Sequence, residues 1–118
     1  MQNSTTPLQL TVRRADRFLG RLAGLLFSSP LQPGQGLLLV PCASVHTAFM
    51  RYSIDVIFLD REGRICRIVP RLAPWRAAAS IGAHQALELA AGEAARLGLQ
   101  AGQSLAQGLS NPAQEKLA

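Results

Sequence analysis

Apolar and polar positions change their period several times along this chain, and each change predicts an element. Leu8-Gln9-Leu10-Thr11-Val12 alternates apolar and polar, which predicts a half-buried strand. Ala15, Phe18, Leu19, Leu22, Ala23 and Leu26 then recur at helical spacing. They predict an amphipathic helix over about 14–26, with Arg14, Arg17 and Arg21 on a second, solvent stripe. Gly20 and Gly24 weaken that helix by about 1 kcal/mol each relative to Ala. Ser28-Ser29-Pro30 and Pro33-Gly34-Gln35-Gly36 break the chain. Leu37-Leu38-Leu39-Val40 is continuously apolar and predicts a buried strand, and Val45–Met50 a further extended segment.

The strongest local signal lies at 54–69. Two β-rich runs, Ile54–Leu59 and Arg64–Val69, flank Asp60-Arg61-Glu62-Gly63, whose glycine supports a left-handed turn. This predicts a hairpin. Residues 70–84 have no clean period, and Pro70 and Pro74 interrupt them, so they are expected to form a long irregular connection. Gln85–Leu89 predicts a strand with Leu87 and Leu89 on one face and Glu88 on the other. Glu93–Leu97 predicts a short helix capped by Gly98, and Gln103–Ala106 a last short strand. The expected organisation is one domain over 8–106, with loose ends at 1–7 and 107–118.

Composition narrows the class. The 118 residues are 48% hydrophobic and 16% charged, which fits a globular domain rather than a disordered chain. The longest apolar runs, Leu37–Val40 and Val56–Leu59, fall far short of the ~18 residues of a membrane span. The polar start carries no secretory signal, so a cytoplasmic location is expected. Net charge is +5, and Lys116 is the sole lysine beside eleven arginines. Arg, Ala, Gly, Leu and Pro are all frequent, as in a GC-rich genome, so the charge by itself names no partner. Cys42 and Cys66 lie in apolar, strand-like segments without a CxxC motif, and both are expected to be buried thiols.

Several blocks in order are similar to a known family. They are Arg21-Leu22-Ala23-Gly24-Leu25-Leu26, Gly36-Leu37-Leu38-Leu39, Phe49-Met50-Arg51, Ile54-Asp55-Val56-Ile57-Phe58-Leu59-Asp60, Gly63-Arg64-Ile65, Leu87–Gly92 and Arg96–Gly102. Together they cover about residues 8–106, and the chain resembles the bacterial and archaeal domain of unknown function 192. That family often has Trp-Met-Lys-Asn-Thr where Phe49-Met50-Arg51-Tyr52-Ser53 stands, and Gly-Asp where Gly102-Gln103 stands. The resemblance implies an α+β domain with a curled, mostly antiparallel, barrel-like sheet, one N-terminal helix and a short C-terminal helix. It implies no reaction.

The densest polar cluster is Cys42, His46, Thr47, Arg51 and Asp55. A thiolate and an imidazole suit zinc, and a Cys–His pair suits nucleophilic chemistry. With two histidines in the whole chain the ligand supply is poor, so no metal or cofactor is expected. Asp55 interrupts an apolar strand and needs a partner if buried, and Arg51 is the nearest cation in sequence. Trp75, between Pro74 and Arg76, would anchor a partner if exposed. No phosphate-loop, dinucleotide or GxSxG motif is present.

These features best fit a small binding module for an anionic small molecule, a peptide or a protein partner. Its candidate ligand-binding residues are His46, Arg51, Asp55, Trp75, Arg76 and Glu88. A hydrolase using His46 and Asp55 is one alternative. Nucleic-acid binding through Arg14, Arg17 and Arg21 is another, though the chain lacks interleaved basic and aromatic residues.

Overall fold

The hairpin organises the fold. In the computed structural model, which describes residues 10–15, 31–48, 50–105 and 115–117, Ile54–Leu59 and Ile65–Leu72 pair antiparallel around the Asp60–Gly63 turn. Asp60 Oδ1 accepts from the backbone N–H of Glu62 and of Arg64, each at 2.9 Å, and Gly63 takes φ 86°. A side chain at that φ would be strained, so glycine suits the position. The strands run in chain order as β1 (Thr11–Ala15), β2 (Gln35–Leu39), β3 (Ser44–His46), β4 (Ile54–Leu59), β5 (Ile65–Leu72), β6 (Ala77–Ala79), β7 (Gln85–Ala90) and β8 (Glu115–Leu117). A single described helix, α1 (Glu93–Arg96), follows β7.

The main sheet has the order β5-β4-β7-β2-β1-β8, and β3 and β6 form a separate two-stranded ribbon. The pairs β5/β4, β4/β7 and β7/β2 are antiparallel, whereas β1 is parallel to both β2 and β8. All six residues of β4 are buried, because this strand lies inside the sheet with both faces covered. On one face Val12, Leu38, Ile57, Leu59, Leu87 and Leu89 pack against Ala94, Leu99 and Leu105. On the other, Leu37, Leu39, Ile54, Val56, Phe58 and Ala86 pack against Cys42, Val45 and Leu72, with Met50, Tyr52 and Ala78 half-buried over them.

These facts correct several expectations. The fold is mostly β rather than α+β, and among the described residues the sheet is open, since its outer strands β5 and β8 do not pair with each other. The helix expected over about 14–26 is overturned at its start. Arg14 and Ala15 belong to β1, whose backbone is paired on both sides, to Leu38 and Leu39 and to Lys116 and Leu117. A filled ladder on each side outweighs a weak local helical period. The remainder of that span, 16–26, lies outside the described residues, as do 1–7. The extended segment expected over Val45–Met50 stops as a strand at His46. The stretch 70–84 is less irregular than expected, because β5 continues to Leu72 and β6 lies within it. The last strand, expected over Gln103–Ala106, reduces in the described residues to one bridge between Arg64 and Ser104. Cys42 is buried as expected, but Cys66 is exposed on edge strand β5. The short helix ends as expected, with Gly98 at φ 68° just beyond its C-cap.

Candidate functional site

Thr47, which follows β3 directly, is fully buried and ties two segments together. Its hydroxyl donates to Ala73 O at 2.6 Å and accepts from the Arg76 N–H at 2.9 Å. Its own N–H donates to Arg76 O at 2.8 Å, and its carbonyl accepts from the N–H groups of Trp75 and Met50, each at 3.1 Å. The chain from His46 to Arg51 is thereby held against the chain from Ala73 to Arg76. In the ribbon, Val45 and Ala78 point inward, while His46 pairs with Ala77 and is exposed. The knot therefore brings His46, Trp75 and Arg76 to one region, Arg51 follows Met50 in the chain, and all four are exposed. Trp75 is 60% exposed and has φ 62°. A bulky residue in the left-handed region costs of order 1–3 kcal/mol and persists only where its surroundings enforce it.

Charge at this region is one-sided. Arg51, Arg67 and Arg76 are exposed, and the single ion pair among the described residues joins Arg96 to Glu93 elsewhere. Arg67 lies on β5, and its Nη1 donates to Ala79 O at 2.6 Å, which places it against β6.

Glu88 shares the sheet face under this region but has different surroundings. It is half-buried at the centre of the sheet, directly across from Leu37 of β2 and Val56 of β4. Among the described residues its carboxylate accepts no hydrogen bond. Burial pushes its pKa up from 4.5 to about 7. The Tyr52 hydroxyl is also raised, first by burial and then by the nearby Glu88 charge.

Asp55 takes no part in this face. Strand alternation turns it to the opposite side of β4, where it is fully buried. Oδ1 accepts from the N–H groups of Arg71 at 2.9 Å and Gly92 at 3.1 Å, and Oδ2 from Ala94 N–H at 2.7 Å. It caps the start of α1 from a distant strand, because the N-cap residue, Gly92, has no side chain to do so. The expected Arg51–Asp55 pair is thus replaced by backbone donors. His46 and Asp55 do not meet, and the His46 ring accepts from Ala48 N–H at 3.4 Å. Of the arginine stripe, Arg14 is half-buried in β1, and Arg17 and Arg21 lie outside the described residues. Glu93 and Arg96 form a two-pronged pair, and Glu93 Oε2 also accepts from Gly34 N–H at 2.8 Å. The pair with Arg96 holds the Glu93 carboxyl below its ordinary range. Its role is to fasten α1 to the turn before β2.

Two contributors had no assigned role in the sequence reading. Thr47 stood in the polar cluster, but its partners lie 26 and 29 residues away. Tyr52 stood at a departure from the family pattern, and nothing local pairs it with Glu88.

An open, mostly-β sheet with a small ribbon over one face, and no assembled catalytic pair among the described residues, defines a class rather than a reaction. Comparison supplies the family: the chain belongs to the uncharacterised ancient conserved family, domain of unknown function 192, which matches residues 1–107. A UPF0127 protein of Pyrococcus horikoshii is 43% identical over 68 residues, covering 55% of this chain and 58% of that protein. Another, from Pyrococcus furiosus, is 39% identical over 72 residues, covering 58% and 61%. The chain thus spans about three-fifths of the curated relatives it matches. A crystal structure of a protein of unknown function from Novosphingobium aromaticivorans shares the fold, with TM-score 0.68 and 24% identity over 79% of this chain and 71% of that one. A Sinorhizobium meliloti protein, named as a candidate transcription regulator, gives TM-score 0.69 and 26% identity over 79% and 78%. No helix among the described residues is long and apolar enough to cross a membrane.

Proposed function

We propose that the protein is a binding module that docks an acidic peptide segment of a partner protein on the region around Thr47. The observation that carries the reading is Trp75, which is exposed yet fixed in a left-handed backbone by the Thr47 knot. Tryptophan is enriched among interface anchors, and backbone strain concentrates at functional sites and ligand clamps. The surrounding charge selects the partner. Arg51, Arg67 and Arg76 carry no ion pair among the described residues; Arg67 and Arg76 each spend Nη1 on a backbone carbonyl and keep their other N–H donors for a carboxylate. His46 adds a further donor when protonated.

The test uses Trp75 directly, since it is the sole tryptophan. A fluorescein-labelled peptide alternating glutamate and leucine is titrated with the protein at low salt, with a lysine–leucine peptide as the control. Binding of the acidic peptide alone, accompanied by a change in Trp75 emission, supports the reading. Trp75→Ala and Arg76→Ala should each weaken it about tenfold, the scale of one lost anchor of about 1.4 kcal/mol. Equal binding of both peptides, or of neither, overturns it. A duplex DNA that binds where the peptides do not would move the function to nucleic acid.

A further inference from the structure

We propose that Glu88 marks a second subsite, one that takes a primary alkylammonium group carried by a free aliphatic amine or by a lysine side chain. This does not rest on the acidic-peptide reading, since it follows from a different residue with opposite charge.

The first observation is position. Glu88 occupies the middle of β7, and the residues paired with it on either side are Leu37 and Val56, with Val69 paired to Val56 one strand further out. From Val69 to Leu37 the row is apolar apart from Glu88, and beyond Leu37 it continues into Arg13 and then Glu115 of β8. Met50 and Tyr52 pack over the same cluster. The second observation is that the carboxylate is left over. It accepts no hydrogen bond among the described residues and forms no ion pair there. Arg13 is exposed. A half-buried carboxylate without a donor is costly, and proteins normally supply one. Asp55, one strand away, shows the contrast with its three backbone donors. No buried polar side-chain atom lacks a partner among the described residues, so the Glu88 oxygens retain contact with solvent and a ligand can reach them.

The chemistry of the surroundings narrows the ligand. One carboxylate and one phenol are too few oxygens for a divalent cation. An ammonium ion is a compact charge on a methylene stem. Its head pairs with Glu88, the Tyr52 ring offers a π face to the cation, and the stem packs on the half-buried Met50 and Val69. Ionised Glu88 is the competent form. The titratable and charged groups around it are Tyr52 in the overlying segment and, further along its row, Arg13 and Glu115.

The probe is n-butylamine, which has the stem and head of a lysine side chain, followed by heteronuclear NMR on the full chain. We expect saturable shifts at Tyr52, Met50 and Val69 and none with 1-butanol. Because the amine stays protonated throughout while Glu88 ionises near pH 7, affinity should rise about tenfold from pH 6 to pH 8. Glu88→Gln should abolish the shifts and leave the acidic-peptide response of Trp75 intact, which separates failure here from failure of the proposed function. A peptide, acetyl-Gly-Lys-Gly-amide, compared with its norleucine analogue, distinguishes a lysine side chain from a free amine as the natural source. Equal response to butanol, or an affinity independent of pH in the unaltered protein, overturns the subsite whether or not the variant folds.

Discussion

Replacing Glu88 with glutamine should stabilise the protein, and by an amount that depends on pH. The side chain sits between Leu37 and Val56 at the centre of the sheet, with no donor to its carboxylate among the described residues, and burial carries its pKa from 4.5 to about 7. That displacement corresponds to about 3 kcal/mol, at about 1.36 kcal/mol per pH unit. Below pH 4.5 Glu88 is protonated in both the folded and the unfolded chain, so it carries no ionisation penalty there. Between pH 4.5 and about 7 the unfolded chain releases its proton while the folded chain keeps it, so stability falls as pH rises. Above about pH 7 the full penalty is present and constant. Glutamine has no such titration, and the other acidic groups cancel in the difference between the two proteins. Urea unfolding of both at pH 4, 5.5, 7 and 8 should therefore show the variant gaining about 3 kcal/mol relative to the parent across the series. A difference that stays flat across the series would refute the reasoning, because it would mean that Glu88 is as well solvated in the fold as in the unfolded chain.

Asp55→Ala should destabilise the fold by at least about 3 kcal/mol, since three backbone N–H groups lose their acceptor at once and each orphaned donor costs about 1–3 kcal/mol. Chemical denaturation measures the loss, and a change under 1 kcal/mol would show that water replaces the carboxylate freely. Thr47→Val keeps the shape but removes the hydroxyl that links Ala73 O to Arg76 N, for an expected loss of about 1–3 kcal/mol. The same variant should lower the fluorescence anisotropy of Trp75, and an unchanged anisotropy would mean that the backbone bonds alone hold the loop.

What the chain determined by itself is local. The hairpin was legible because β-rich runs and the Asp60–Gly63 turn act within a few residues of each other. The opposite facing of Glu88 from Leu87 and Leu89 followed from the two-residue period of a strand, and Gly98 after α1 followed from the demands of a helix end. The tertiary structure decided what depends on distant partners. The helical spacing from Ala15 onward did not protect Arg14 and Ala15 from joining β1, because β2 and β8 offer them a filled ladder on each side. Asp55 could not be assigned from its neighbours, since its donors come from Arg71, Gly92 and Ala94, 16 to 39 residues away. The gathering of His46, Trp75 and Arg76 depends on a buried threonine whose bonds reach Ala73 and Arg76 across the paired β3 and β6. Glu88 likewise became distinctive only when both faces of the sheet were covered, because desolvation is a property of packing and not of spacing.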